Sequence, residues 1–121
     1  MEKISSYRQL EIWQKSVHLV TEIYQVSSSF PKNELFSLTS QIRRVAVSIP
    51  ANIAEGWGRQ LTKEFMQYLR IARGSLLELE THLIISNNLN YIETRWLEAL
   101  LAKTGEINEM LNAMINSLGR K

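Results

Sequence analysis

The chain has 121 residues, of which 45% are hydrophobic and 21% charged, with a formal net charge of +2. This length suits one domain with a buried core. Cysteine and aspartate are both absent, which excludes disulfides, thiolate metal sites, cysteine nucleophiles and any catalytic triad with an aspartate. No apolar run is long enough to span a membrane, and residues 1–10 lack the apolar core of a signal peptide. We therefore expect a cytoplasmic protein without a membrane partner.

The first predicted helix spans about residues 7–28. Its apolar residues recur every three or four positions, with polar residues opposite them. Ser27 to Ser29 and then Pro31 end it, because the residue before a proline is disfavoured in helical geometry. The predicted core-facing side consists of Leu10, Trp13, Val17, Val20 and Tyr24, joined by Ile12, Leu19 and Ile23.

The second predicted helix spans about residues 37–58 and is the most informative stretch of the chain. Ser37 is a suitable N-cap, and Gly56 and Gly58 are expected to stop the helix. Pro50 lies inside it and removes one backbone hydrogen bond, so we expect a kink there.

Three faces divide the surface of this second helix, at about 100° per residue. Because a peripheral bundle helix needs only one apolar face, we expect this helix to be covered on more than one side. The apolar face consists of Leu38, Ile42, Val45, Ile49, Ile53 and Trp57. The polar stripe consists of Gln41, Arg44, Ser48, Asn52, Glu55 and Arg59. The small-residue face consists of Val47, Pro50, Ala51 and Ala54, with Arg43 at its edge.

The third and fourth predicted helices span about residues 62–88 and 94–118, with Thr62 and Thr94 as their N-caps. Leu77 and Ile84 lie about 100° from the core seam of the third helix, which indicates a subunit contact. Short links between four helices predict an all-α fold, an antiparallel up-down-up-down four-helix bundle formed by residues 1–121 as a single domain.

Charge is distributed unevenly along the chain. Residues 43–73 hold six basic and two acidic side chains, whereas residues 78–109 hold two basic and six acidic ones. A polarised molecule can attract an anionic partner, although pairing of the two segments within or between subunits is an alternative. The candidate RNA contacts are Arg43, Arg44, Arg59, Lys63, Arg70 and Arg73. The candidate polar network or subunit interface is the polar stripe together with Leu77 and Ile84.

The sequence offers little for catalysis or cofactor binding. His18 and His82 lack the Glu-xx-His spacing of di-iron bundles, because Lys15 and Leu79 stand three positions before them. No glycine-rich phosphate loop is present. We therefore predict no enzyme activity, no cofactor and no metal. Trp13, Trp57, Phe65 and Trp96 lie at core-like phases and are predicted to pack in the bundle, not to stack on bases.

The run from Gln41 to Arg59, QIRRVAVSIPANIAEGWGR, resembles the signature of the four-helix-bundle proteins encoded in intervening sequences of bacterial large-subunit ribosomal RNA genes. Leu61 departs from the pattern, since the family usually has a small hydroxyl residue there. Accessory variability proteins of diversity-generating retroelements look like relatives. Further agreement comes from Tyr7, Leu10, Trp13, Phe30-Pro31, Lys63-Glu64-Phe65, Leu69, Ile71-Ala72, Gly74-Ser75 and Glu78-Leu79.

The resemblance implies a bundle that assembles into a ring of five subunits, without known enzymatic activity. For the retroelement relatives it implies binding to nucleic acid and a reverse transcriptase. Two hypotheses follow. One is a homopentameric ring associated with RNA through a basic surface on the second and third helices. The other is a protein-interaction scaffold that binds no nucleic acid and whose charges hold subunits or protein partners together.

Overall fold

The computed structural model describes residues 3–120, so that Met1, Glu2 and Lys121 of the predicted domain lie outside the described residues. Four long helices make up most of it: α1 (Glu11–Ser27), α2 (Leu38–Gly58), α3 (Thr62–Asn88) and α4 (Thr94–Gly119). Short 3-10 helices at Tyr7–Gln9 and Lys32–Glu34 precede α1 and α2. Residues 3–120 contain no strand, which confirms the all-α prediction.

The helices pack as a bundle in which α1 contacts α2 and α4, and α3 also contacts α2 and α4. Within residues 3–120, α1 and α3 make no close backbone approach and therefore lie diagonally opposite. Side-chain pairs between α1 and α4 join Lys15 to Glu106 and Glu22 to Lys103. Residue numbers thus rise on one helix as they fall on the other, as expected for antiparallel neighbours.

The core consists of isoleucine and leucine side chains from all four helices. α1 contributes a side different from the predicted one, because Val17 and Tyr24 are exposed and Ser16 is buried. The Ser16 hydroxyl donates to the Ile12 carbonyl at 2.8 Å, which satisfies it inside the core. The fully buried large residues are Ile12, Leu19, Ile23, Ile42, Ile49, Ile53, Leu69, Leu76, Leu79, Leu83, Leu111 and Thr104.

The helix starts differ from the predicted caps. α3 begins at Thr62 with Leu61 as its N-cap, and α4 begins at Thr94 with Glu93 as its N-cap, so both predicted cap residues lie inside the helices. Ser37 is the N-cap of α2 as predicted, but its hydroxyl is bonded to the Glu34 carboxylate at 2.5 Å and does not cap the helix. Leu61 and Glu93 make no side-chain capping bond, and this is tolerated because tertiary packing supplies most helix stability.

α2 ends at Gly58, as the sequence predicted, whereas Gly56 lies inside the helix and does not stop it. Gly56 is buried inside the helix and packs closely against α3. A Cβ at this position would lie 2.5 Å from the Cβ of Tyr68. The chain turns after Gly58, where Gln60 takes a positive φ of 65°. α2 is assigned as one helix from Leu38 through Pro50 to Gly58, and the kink at Pro50 stays a prediction.

Aromatic side chains make contacts near both ends of the bundle, where Phe30 meets Tyr91 at one end and Tyr7 meets two tryptophans at the other. Tyr7 makes edge-on contacts with Trp13 and Trp57, with ring centroids 5.2 and 6.5 Å apart. Trp96 was predicted to pack in the core. Its side chain is instead about half exposed and lies beside a groove between α1 and α4. The guanidinium of Arg95 lies 5.3 Å from the Trp96 ring centroid.

Candidate subunit and nucleic-acid interfaces

Arg43, at the edge of the small-residue face, is engaged within the chain. Its Nε donates to the Ser27 hydroxyl at 2.8 Å, and its guanidinium lies 4.7 Å from the centroid of the Tyr24 ring. A second bond reaches the Tyr24 carbonyl at 3.4 Å. These contacts hold α1 and α2 together and leave little of the Arg43 fork for phosphate oxygens.

Arg59 and Arg73 also have partners inside the bundle. Arg59 pairs with Glu55 at 3.2 Å and Glu64 at 3.8 Å, and donates to the Tyr68 hydroxyl at 2.8 Å. Tyr68 first, and then the two carboxylates, raise the pKa of Arg59 above its usual value. Arg73 on α3 donates to the side-chain oxygen of Asn112 on α4 at 2.7 Å.

Arg44, Lys63 and Arg70 are the three predicted RNA contacts that remain exposed and largely free. Arg44 makes only a long bond of 3.5 Å to the Ser40 hydroxyl. Among residues 3–120, Lys63 and Arg70 have neither a hydrogen-bond nor an ion-pair partner. Because α3 returns alongside α2, Arg44 near the start of α2 and Lys63 near the start of α3 lie towards opposite ends of the bundle.

The polar stripe of α2 forms bonds mainly within its own helix. Gln41, Arg44, Glu55 and Arg59 are exposed, whereas Ser48 and Asn52 are half-buried. The Ser48 hydroxyl donates to the Val45 carbonyl at 2.7 Å, and the Asn52 amide donates to the Ser48 carbonyl at 2.7 Å. Only Arg59 reaches α3 from this stripe. A role of the stripe between subunits stays a prediction.

The outer face of α3, defined here as Ile71, Gly74, Leu77, Glu78, Thr81, Ile84 and Ile85, is mostly apolar and exposed, and the exposed Arg70 precedes it on the same side of the helix. Leu77 and Ile84 are 51% and 44% exposed, and Ile71 and Ile85 are 43% and 41% exposed. Leu77 and Ile84 were predicted from the sequence as a subunit contact, whereas Ile71 and Ile85 were not. The signal was present in the sequence, since positions 71, 74, 77, 81, 84 and 85 share one side of a helix and none of them is charged.

The two histidines occupy different environments. His18 is exposed on α1. His82 is largely covered, with Nε2 3.6 Å from a Glu78 carboxylate oxygen and no hydrogen bond to either ring nitrogen. Across residues 3–120, no three or more His or Glu side chains come together in a way that could hold a metal ion.

A groove between α1 and α4 contains two cavities, of about 490 and 380 Å³. Lys15–Glu106 and Lys103–Glu22 pairs cross it, the former at 2.5 Å. The hydrogen bond and charge of Glu106 raise the pKa of Lys15. Because the charged groups along this groove are mostly paired with each other, they leave no concentrated charge for an ionic ligand.

Comparison with known proteins places this arrangement in a family. The model of the family described as 23S rRNA-intervening sequence protein matches residues 8–113. The chain belongs to this family. The resemblance recognised in the α2 signature is thereby confirmed, and the family extends over all four helices.

One solved structure similar to the chain is described as a protein with unknown function from the S23 ribosomal protein family of Bacteroides thetaiotaomicron. It is 27% identical, with a TM-score of 0.80, and the match covers 87% of this chain and 95% of that chain. No curated protein matches the chain. The relation to retroelement accessory proteins stays a prediction. No helix within residues 3–120 combines the length and the apolar character needed to cross a membrane.

Proposed function

We propose that this member of the 23S rRNA-intervening sequence family is a non-enzymatic cytoplasmic protein that assembles into a ring of five copies and associates with RNA. The observation that carries the proposal is the outer face of α3. Four large aliphatic side chains on one side of one helix are exposed there, with Glu78 as the acidic group among them. Contiguous apolar surface of this kind is typical of a protein interface.

RNA association is supported by the exposed basic side chains that have few or no partners within the described chain. Arg44, Lys63 and Arg70 are exposed, and phosphate oxygens suit both guanidinium and ammonium groups. Three cations give weak binding in one subunit. A ring repeats them five times, so that one RNA can contact several subunits and gain affinity through multivalency.

Assembly is tested by the mass in solution. Size-exclusion chromatography with light scattering should give five times the 14.0 kDa of the single chain. A mass of one chain at all micromolar concentrations would refute the ring. A stable mass of two or four chains would retain assembly and refute the pentamer.

RNA association is tested by fluorescence anisotropy with a structured RNA hairpin at low and high salt. We expect binding at micromolar protein that weakens steeply with salt. Replacing Arg44, Lys63 and Arg70 together by Gln should reduce affinity about tenfold or more, given the loss of several phosphate contacts per ring. Replacing Lys3, Lys32 and Arg95 by Gln removes the same charge elsewhere and serves as the control. Equal loss in both variants would contradict the assignment.

The alternative is a scaffold that binds protein partners and no nucleic acid. It is favoured by one observation, namely that Arg43, Arg59 and Arg73 are occupied by intramolecular partners. A ring of the expected mass that shows no salt-sensitive RNA binding would support this alternative over the RNA-associated function.

A further inference from the structure

Trp96 on α4 is a large aromatic side chain that the bundle does not use in its core. It is 49% exposed and lines the cavity of about 380 Å³ in the groove between α1 and α4. Its predicted burial was the reason for excluding base stacking. That reason no longer holds, because about half of the indole surface is accessible.

The floor of this cavity, named here the Trp96 cavity, is apolar. Ile92 and Leu100 are 6% and 2% exposed, and the partly buried Val26 of α1 lines the cavity with them. Pockets that bind small molecules typically have volumes of about 300–1,000 Å³ and are lined mainly by apolar and aromatic side chains. The Trp96 cavity lies near the lower end of this range, so it suits a small ligand with apolar surface.

The charged groups around the Trp96 cavity are already paired. Lys103 is bonded to Glu22 across the groove. Arg95 pairs with Glu93 at 3.2 Å, and its guanidinium lies 5.3 Å from the centroid of the Trp96 ring. Each pair is neutral as a whole, so a ligand without net charge suits the cavity best. The neighbouring cavity of about 490 Å³ differs, since most of its lining side chains are charged or polar.

Uncharged polar side chains stand at the rim of the Trp96 cavity. Gln25 and Ser29 both line it and are exposed. The Gln25 amide offers both donors and an acceptor. The Ser29 hydroxyl donates to the Val26 carbonyl at 3.1 Å and can still accept a hydrogen bond. Such a rim beside an apolar floor and an indole matches a ring that is apolar on its faces and polar around its edge.

The geometry points to a binding site for a neutral nucleobase that stacks on the Trp96 indole, supplied by a free nucleoside or by an unpaired position of an RNA strand. Nucleobases stack on aromatic side chains through their faces and form hydrogen bonds through their edges. The inference goes beyond the proposed function, because Arg44, Lys63 and Arg70 lie on α2 and α3, whereas the Trp96 cavity lies between α1 and α4.

The first test is a titration of the full chain with adenosine, measured by tryptophan fluorescence excited where adenosine does not absorb. Adenosine carries no phosphate, so it cannot use the cations assigned to RNA. We expect saturable quenching, because Trp96 is the tryptophan that lines the cavity. Trp13 and Trp57 contact Tyr7 instead and should keep their fluorescence.

A pair of alanine substitutions on α4 tests where the base binds. Ala99 lines the Trp96 cavity, so Ala99→Leu fills part of it and keeps the fluorophore. It should raise the Kd for adenosine at least about fivefold, the loss expected when one base no longer stacks. Ala102 is exposed on α4 outside this lining, so Ala102→Leu is the matched control and should leave the Kd unchanged. Far-UV circular dichroism checks that both variants are helical.

A second titration distinguishes the two sources of the base. Fluorescein-labelled oligoadenylate offers unpaired bases, whereas a fully paired RNA duplex offers none. Trp96→Leu keeps an apolar side chain and removes the indole. By fluorescence anisotropy it should weaken binding of the single strand at least about fivefold and leave binding of the duplex unchanged.

The outcomes separate this inference from the proposed function. Quenching by adenosine supports a site that takes the base alone, and quenching by oligoadenylate but not by adenosine supports a base supplied by an RNA strand. The inference is overturned if neither ligand quenches saturably, if the duplex quenches as strongly as the single strand, or if Ala99→Leu and Ala102→Leu change the Kd equally. Absence of salt-sensitive RNA binding would refute the proposed RNA association and leave quenching by adenosine unaffected.

Discussion

Gly56 lies at a close approach between α2 and α3. A Cβ there would lie 2.5 Å from the Tyr68 Cβ and 3.2 Å from a Phe65 ring carbon. The Tyr68 Cβ is attached to the backbone and cannot rotate away, so the helices themselves would have to separate. The sequence suggested that Gly56 and Gly58 stop the helix. α2 does end at Gly58, whereas at Gly56 the packing against α3 requires the absence of a side chain.

Gly56→Ala should therefore destabilise the protein by about 1–3 kcal/mol, because overpacking outweighs the better helix propensity of alanine. Gly105→Ala is the control, since nothing lies within 4 Å of a Cβ at that position of α4. It should be neutral or stabilising by up to about 1 kcal/mol. Urea unfolding of both variants measures the difference, and a stabilised Gly56→Ala protein would contradict the predicted close contact.

The Glu34 side chain connects the loop before α2 with the loop before α4 through hydrogen bonds. Its carboxylate accepts hydrogen bonds from the Ser37 hydroxyl at 2.5 Å and the Tyr91 hydroxyl at 2.8 Å. These bonds, with Ser37 first, lower the pKa of Glu34 below 4.5. The same bond to Glu34 raises the pKa of Tyr91 above 10.0.

The lowered pKa of Glu34 means that its contribution to stability is present above pH 4.5 and is lost as the pH falls through the folded-state value. Tyr91→Phe removes one of the two bonds, so the melting temperature should fall most near neutral pH. The difference from wild type should shrink below pH 4.5. Thermal melts from pH 7 to pH 2.5 measure this, and a constant difference across that range would contradict a role for the ionised carboxylate.

At the scale of helices, Thr104 shows how a polar residue serves the contact between α3 and α4. It is fully buried on the core side of α4, and its hydroxyl lies 2.6 Å from a carboxylate oxygen of Glu80 on α3. The hydroxyl also lies 3.0 Å from the Leu101 carbonyl of its own helix. A hydrophobic stripe drawn from apolar residues alone omits this position, because threonine is not counted among them.

Thr104→Val keeps the shape of the side chain and removes the donor to Glu80. We expect a loss of about 1–3 kcal/mol, because the half-buried carboxylate is then left without its partner. Thr104→Ser retains the hydroxyl and should recover part of that loss, although it removes a buried methyl group. Chemical denaturation measures the free energy of unfolding of both variants. A valine variant as stable as wild type would show that the Glu80 carboxylate is solvated by water and does not depend on Thr104.

The face that α1 buries illustrates the limit of periodicity. The sequence contains a wide apolar band, and the predicted core side included Val17 and Tyr24 at one edge of it. In the bundle, α1 packs against both α2 and α4. The line of α1 residues that faces the space between these two helices is therefore buried. That line passes through Ile12, Ser16 and Leu19, and it leaves Val17 exposed towards the side of α2. Periodicity locates a helix more reliably than it orients one.

At the scale of the whole molecule, the spatial arrangement of the helices determines which charged side chains form ion pairs. The acidic α4 lies beside α1, so Glu106 pairs with Lys15 and Lys103 pairs with Glu22. The basic segment 43–73 is adjacent in sequence to the acidic segment 78–109, yet no ion pair between them occurs in residues 3–120. Counting charges along the chain indicated a polarised molecule and could not identify the pairs.

The sequence by itself determined the four helices, their approximate bounds and the family, because amphipathic periodicity, turn residues and a long fixed-spacing signature are local properties. Only the tertiary structure decided which arginines are already occupied, that Gly56 is a packing glycine, and which side of α1 is buried. The physical reason is that each of these depends on which helices are neighbours and how each is rotated about its axis, and these are set by packing between residues far apart in the chain.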